Sequence, residues 1–399
     1  MSDNLARHFL LREDVTFLNH GSFGACPRPV FEAYQAFQRE LEGEPVEFLG
    51  RRLNELMRPP REALAAELGT AQENIAAVLN ATSGLNVVAR SLPLRPGDQI
   101  LTTDHEYSAL EKTWAYVCRK TGAEVVVVKV PMPLVSEEAF TDAVLAGITD
   151  RTRVLFLSHI TSPTALLFPI GRAVAEARRR GIWSVIDGAH TPGHIRLDLD
   201  ALGADFYSGN CHKWLMTPKG SAFLYARPEL QSLLDPLVVS HGWTEASKEP
   251  GARGAFGNSP FIDEIEMQGT RDPSAWLAVP AALAFRRDND WESVAAHCQA
   301  LAQDTAARLA ALTGLAPLSS PRFCAPQMVA MPIPECDTAE IHKALFDRYR
   351  IEIPVFKWQQ TCIARLSVQG YNSRPQMDRL IEALTGLLGL SAPRRASRG

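Results

Sequence analysis

The stretch Ser208-Gly209-Asn210-Cys211-His212-Lys213-Trp214-Leu215-Met216-Thr217-Pro218 sets a histidine beside a lysine, just past one short apolar run and just before another. The first run, Asp205 to Tyr207, reads as the end of a buried strand, and Gly220 to Ala226 reads as the next one. Lys213 therefore sits in a strand-end loop among Trp214, Leu215 and Met216. An isolated loop lysine keeps its ammonium in water. A lysine lodged among large apolar side chains loses hydration instead, so its pKa falls and its amine becomes able to attack a carbonyl. Lys213 is accordingly the candidate for a covalent cofactor anchor.

Upstream, apolar runs at Ile75–Leu79, Gln99–Thr102, Glu124–Val130, Arg153–Ser158 and Ile182–Ile186 alternate with helical patterns at Gly84–Ser91, Ser108–Thr121, Glu137–Ala146 and Ile170–Arg180. This alternation predicts an α/β fold with a mostly parallel seven-stranded sheet between helices. Ligands of such sheets bind beyond the carboxyl ends of the strands. The residues found there are Asn80-Ala81-Thr82-Ser83-Gly84, Thr103-Asp104-His105-Glu106-Tyr107, His159 to Pro163, Asp187-Gly188-Ala189-His190 and the Lys213 stretch. The small-residue turn at Asn80–Gly84 opens a helix, whose free N–H groups and dipole suit a phosphate. It is not the Gly-rich fingerprint a nucleotide-dependent oxidoreductase needs.

At the N-terminus, Val15–Leu18 leads into Asn19-His20-Gly21-Ser22-Phe23-Gly24, a loop whose backbone can approach a ligand. Helical patterns follow from Pro29 to about Leu41 and from about Pro45 to Leu68. Beyond Pro236 the sheet pattern fades; Ser247–Pro260 reads as a long loop or cover, and the remainder as a smaller C-terminal α+β domain. The expected division is 1–28 as an N-terminal segment contributing to the active site, 29–268 as the large cofactor-binding domain, 269–390 as the small domain and 391–399 as a disordered tail.

Bulk properties narrow the partners. Among 399 residues the net charge is -4, with no basic patterning for nucleic acid or an anionic membrane, so a small molecule is the expected partner. No apolar run has signal-peptide or membrane-span character, and the expectation is a cytoplasmic protein. Seven cysteines without paired close spacing indicate neither a disulfide framework nor a metal site.

Taken together these motifs resemble the class V aminotransferase family of pyridoxal-phosphate enzymes, of fold type I. The resemblance rests on Asp187 followed 26 positions later by Lys213, with His190 between and Gly269-Thr270 downstream. Leu18 to Gly24, Thr103 to Tyr107 and Gly209 to Leu215 resemble the branch named after isopenicillin N epimerase. The similarity runs from about Val15 to Leu388.

The resemblance implies roles. Lys213 would form the Schiff base with pyridoxal 5'-phosphate and move the Cα proton; Asp187 would keep the ring nitrogen protonated. His190 would bond the ring hydroxyl, and Tyr107 would stack on the ring, with His105 as the alternative stacker. Thr82, Asn210, His212 and backbone N–H groups around Ala81 and Ser83 would hold the phosphate. Thr270 would reach the phosphate of a neighbouring subunit, which implies a homodimer with shared active sites. Arg365 would bind the substrate carboxylate bidentately, with Asn19 and His20 near the substrate; on its own residues, His20 serves equally well as a structural group.

The implied activity is epimerisation or racemisation at Cα of an amino-acid substrate through a quinonoid carbanion, with His20, Tyr107 or Tyr371 as a second acid. The alternatives are C–S lysis of a cysteine derivative or cysteine sulfoxide, and transamination; a non-catalytic protein of the same fold is a further reading. Cysteine desulfurases of this superfamily carry a catalytic cysteine before the carboxylate arginine. Here Lys357-Trp358-Gln359-Gln360 holds none, and Cys362 falls within an apparent strand. Asn210 replaces a serine of many relatives and preserves hydrogen bonding to a phosphate.

Overall fold

Strands that carry Val, Ile, Leu and Phe on both faces can be stable only between two layers, and the central strands of this chain are of that kind. The computed structural model describes residues 5–245 and 251–390. In chain order the strands are β1 (Thr16–Phe17), β2 (Ile75–Val78), β3 (Gln99–Thr103), β4 (Glu124–Val128), β5 (Thr152–Ser158), β6 (Trp183–Asp187), β7 (Phe206–Asn210), β8 (Ala222–Ala226), β9 (Met328–Ile333), β10 (Ile351–Glu352), β11 (Val355–Trp358) and β12 (Thr361–Ser367).

Seven of them form one sheet in the order β2-β8-β7-β6-β5-β3-β4. Only β8 runs against the others in this mostly parallel sheet, pairing antiparallel with both β7 and β2. Leu155, Phe156, Leu157, Val185 and Ile186 are buried to within 1% of completely, as strands sandwiched between helices must be. In register, Ser158 faces Asp187 and Asp187 faces Ser208, so the polar residues that end β5, β6 and β7 stand in one row.

The edge strand β2 is closed off by helix Pro260–Glu266. Glu266 Oε1 accepts the Ala77 N–H at 2.8 Å, while its Oε2 accepts from Arg61 Nη2 at 2.6 Å. A buried ion pair thus takes up a backbone donor that an uncovered edge would leave to water.

The second sheet, β11-β12-β9, is antiparallel and carries Arg365 on β12. The apolar run Ile351–Phe356 is divided at Ile353-Pro354 into two strands, because proline has no N–H for a ladder. The β10 half pairs in parallel with β1, which brings the N-terminal turn beside β12; Ser367 N–H donates to Leu18 O at 2.9 Å. The stretch expected as a loop at Asn19–Gly24 contains a single helical turn, His20–Phe23. Helical winding between Pro45 and Leu68 has an irregular first part, Val46–Arg52, before a regular helix from Leu53. The expected tail at 391–399, and residues 247–250 of the expected cover, lie outside the described residues.

Candidate active site

The carboxyl ends of β2, β5, β6 and β7, together with Arg365 of β12, enclose a cleft of about 610 Å³. Lys213 enters it from the turn that leaves β7. That turn is fixed by Thr217 N–H to Cys211 O at 3.2 Å and by Met216 N–H to Lys213 O at 3.1 Å, with Met216 in the left-handed region at φ 64°. The N-terminal turn packs against its outer side so closely that a Cβ on Gly24 would lie 2.0 Å from His212 O; only glycine fits there. Burial and the nearby Arg365 cation pull the Lys213 amine down to about 7, against the opposing pull of Asp187.

Asp187 ends β6 and is almost fully buried, with Oδ1 accepting the Ala189 N–H at 2.8 Å. Burial raises its pKa, and the Ala189 bond and Lys213 oppose the rise. A cation close to the carboxyl, such as a protonated pyridine nitrogen, draws it back to the carboxylate form. His190, three residues on, lies with Nε2 3.1 Å from Lys213 Nζ; Trp214 Nε1 donates to its Nδ1 at 3.4 Å. Burial first, then Lys213 and Arg365, hold His190 well below its ordinary pKa, so the ring is neutral.

The phosphate end departs in part from expectation. Helix Ala81–Ser91 is brought into the cleft by contact with β7, where a Cβ on Gly84 would lie 2.3 Å from Ser208 Oγ. The Ala81 N–H, however, donates to Asn210 Oδ1 and the Ser83 N–H to Asn80 Oδ1, each at 2.8 Å. Ser83 Oγ also donates to Asn80, so Ser83 serves the helix cap rather than a ligand. With Oδ1 engaged, Asn210 keeps its amide N–H groups as donors. Thr82 and His212 line the cleft, and His212 Nδ1 donates to Ser221 O at 3.2 Å, leaving Nε2 bare, a nitrogen that can donate to a phosphate once the anion draws a proton onto it.

Arg365 is 6% exposed; its Nη1 donates to Ser162 O at 2.5 Å and its Nη2 to Ser22 Oγ at 3.0 Å. Its Nε is buried without a partner, a donor that an incoming carboxylate would satisfy. Tyr107 lines the mouth at 41% exposure. His105 does not reach the cleft: it is fully buried, bonded to Thr164 Oγ1 at 2.8 Å, with its centroid 4.5 Å from that of Trp358.

Asn19 and His20 are displaced from the substrate side. Asn19 Nδ2 donates to Glu352 at 3.1 Å and its Oδ1 accepts from Ser22, so its amide is spent on joining the N-terminal turn to β10. His20 is fully buried behind the lysine, bonding Lys213 O and Tyr371 OH, each at 3.0 Å. The same bond withdraws Tyr371 from the cleft. Thr270 lines a separate cavity of about 410 Å³ with Leu49, Gly50 and Arg271.

Three contributors escape sequence reasoning. Ser22 and Ser162 orient Arg365, and the only signal for them is their place in small-residue turns. Glu106 is visible merely as part of a motif. It is buried beneath the cleft, held by Thr103 Oγ1 at 2.7 Å and Ser158 Oγ at 2.6 Å, and burial pushes it up to about 8.

The residues present fit pyridoxal phosphate: an amine for its aldehyde, a buried carboxylate for its ring nitrogen, a neutral imidazole beside the amine, and a helix N-terminus with Thr82, Asn210 and His212 for its phosphate. Comparison with known proteins agrees. Residues 17–380 match the family model described as aminotransferase class-V. An isopenicillin N epimerase of Amycolatopsis lactamdurans is 38% identical over 379 residues, covering 94% of this chain and 95% of that protein. A probable chloroplastic L-cysteine desulfhydrase of Arabidopsis thaliana is 27% identical over 94% of this chain and 83% of its own length. In fold, the chain is similar to the cysteine desulfurase CsdA of Escherichia coli, with a TM-score of 0.79 and 24% identity over 97% of this chain and 99% of that one.

Proposed function

The chain belongs to the class V aminotransferase family, and from that premise we propose that it is a pyridoxal-phosphate enzyme that removes the Cα proton of an amino-acid substrate and returns a proton to the opposite face. One observation carries this reading: Lys213, Asp187 and Arg365 line a single cleft, so amine, ring-nitrogen partner and carboxylate anchor face one another. The bound cofactor supplies an aldehyde for covalent attachment and a ring that accepts the electrons left at Cα.

The chain's own residues do the rest. Arg365, oriented by Ser22 and Ser162, fixes the substrate carboxylate. Lys213, with its amine held near neutrality, takes the proton from Cα on its own side. Return of a proton from the other side needs a second acid. Of Tyr107, His20 and Tyr371, only Tyr107 lines the cleft; His20 and Tyr371 bond each other behind the lysine. Tyr107 is therefore the second acid in this reading, as well as the group that would stack on the ring.

A C–S lyase is the second reading, supported by the resemblance to the Arabidopsis protein. It uses the same deprotonation, followed by loss of a β-substituent, and needs no second acid. A persulfide route has no support, since no cysteine lines the cleft among the described residues and Cys362 is buried in the β12–β9 ladder.

Two copies sharing active sites are part of the proposal, with Thr270 of one copy serving the phosphate end of the other. The support is the position of Thr270 outside its own cleft and the apolar surface at the cleft mouth, where Phe23 is 70% and Leu79 48% exposed. No described helix is long and apolar enough to cross a membrane; a cytoplasmic location is proposed, supported by seven unpaired cysteines.

Incubation in deuterated water with L-amino acids, cysteine derivatives and peptides with a free α-amino group tests the reaction. Deuterium at Cα together with the D-form supports epimerisation. Pyruvate, ammonia and a sulfur product without the D-form overturn it in favour of the lyase.

A further inference from the structure

Behind Lys213 lies a layer of three buried imidazoles around one indole. Trp214 is stacked on His194, with centroids 3.9 Å apart and planes 21° from parallel, and His20 packs at 4.9 Å from it. Arg286 clamps this layer to the turn that carries His190, its Nη1 donating to Gly193 O at 2.7 Å and to Trp214 O at 3.1 Å. The indole is therefore fixed in position relative to His190.

The proton positions in this layer follow from what each partner can do. His194 Nδ1 faces the His190 carbonyl at 3.0 Å, which can only accept, and its Nε2 receives the Gln327 N–H at 2.9 Å. His194 is thus the Nδ1–H form, satisfied at both nitrogens. The same test at His190 gives the opposite form. Its Nδ1 faces Trp214 Nε1 at 3.4 Å, and an indole N–H can only donate. Nδ1 must then be bare, so the neutral ring carries its proton on Nε2, the nitrogen 3.1 Å from Lys213 Nζ.

We propose that Trp214 is a positioning residue whose indole N–H locks His190 in the Nε2–H form, so that His190 donates to the lysine amine and disfavours an ammonium there. A protonated lysine would have to donate to Nε2, which would move the ring proton to Nδ1 and set it against the indole N–H. The selected form is the nucleophilic amine. Once the amine has been consumed, the same Nε2–H is a donor ready for an anionic oxygen at this end of the cleft. This inference rests on the cofactor reading of the cleft, but the tautomer itself is a property of the chain without any ligand.

The test is nitrogen-15 magic-angle-spinning spectroscopy of protein labelled at the histidine ring nitrogens, in apo and cofactor-loaded forms, with His190 signals identified by their loss in His190→Gln. The expected wild-type result is a bare Nδ1 and a protonated Nε2 at His190. In Trp214→Phe, which keeps an aromatic ring but not the N–H, a measurable share of the Nδ1–H form appears, and kcat falls about tenfold, the worth of one hydrogen bond. A proton on Nδ1 in wild type overturns the proposal, and this outcome needs no variant to fold. An unchanged His190 spectrum in a folded Trp214→Phe also overturns it. Loss of the visible cofactor band is a separate readout: if wild type fails to take up cofactor while His190 keeps the Nε2–H form, the cofactor reading fails and the positioning of His190 stands.

Discussion

Nη2 of Arg365 donates to Oγ of Ser22 at 3.0 Å, tying strand β12 to the N-terminal turn at the rim of the cleft. With Nη1 on Ser162, two protein contacts orient the guanidinium, while its buried Nε stays without one. Such a fork is held ready for a carboxylate, and a lysine in its place could not reproduce its planar geometry.

Arg365→Ala is expected to raise KM strongly, with a loss of about 2 to 5 kcal/mol in transition-state binding. Arg365→Lys should recover only a small part of it. Ser22→Ala, which frees Nη2, should cost about 1 kcal/mol. Steady-state kinetics on any accepted substrate checks all three, and kinetics unaltered by Arg365→Ala would place the carboxylate site elsewhere.

Capture of cofactor by the apo chain should rise with pH through a midpoint near 7, since only the neutral Lys213 amine attacks an aldehyde and its pKa is drawn down to about 7. The causes fix the signs of two further shifts. Asp187 raises this pKa, so Asp187→Asn moves the midpoint to lower pH; Arg365 lowers it, so Arg365→Gln moves it to higher pH. Stopped-flow absorbance across a pH series reads each midpoint, and movement of the two variants in the same direction would refute the electrostatic account.

How far the sequence reaches differs by residue, for physical reasons. Asp187 is legible because it closes an apolar strand run and Lys213 because it lies in the turn that leaves the next, and parallel topology gathers such positions on one rim. His20 admits two readings in sequence, and its burial behind the lysine cannot be decided locally, because Tyr371, its partner, is 351 positions away. Asn19 and Ser83 carry the right chemistry but spend it on neighbouring backbone and side chains. Pro354 is a local signal that splits the Ile351–Phe356 run. The Arg61–Glu266 pair, 205 positions apart, has no sequence signature at all.

That pair gives a stability prediction. Arg61 and Glu266 are 2% and 5% exposed, and Glu266 also accepts the Ala77 N–H of edge strand β2. Glu266→Ala leaves a buried guanidinium and a buried backbone donor without partners, and should destabilise the fold by about 3 to 5 kcal/mol. Glu266→Gln keeps an acceptor for Ala77 and should cost less. Urea unfolding of the two variants against wild type measures the difference; equal losses would mean that the Ala77 bond contributes nothing.

Sharing of active sites between two copies can be read from complementation. Lys213→Ala removes the amine from its own cleft, whereas Thr270→Glu sets a carboxylate where a phosphate of the other copy would lie, and repulsion between like charges should abolish cofactor retention there. Each variant alone should be inactive. After unfolding and refolding an equal mixture, half the dimers pair one variant with the other, and in each of these one of the two sites has an intact Lys213 and an intact Thr270. Activity should then return to about a quarter of the wild-type level per total protein. A mixture that stays inactive, despite a dimer by light scattering, would mean that Thr270 serves the cleft of its own chain, and an active Thr270→Glu on its own would mean that it serves none. A wild-type protein that is monomeric at assay concentration would remove the shared-site proposal outright, while leaving the roles of Lys213, Asp187 and Arg365 in the cleft unchanged.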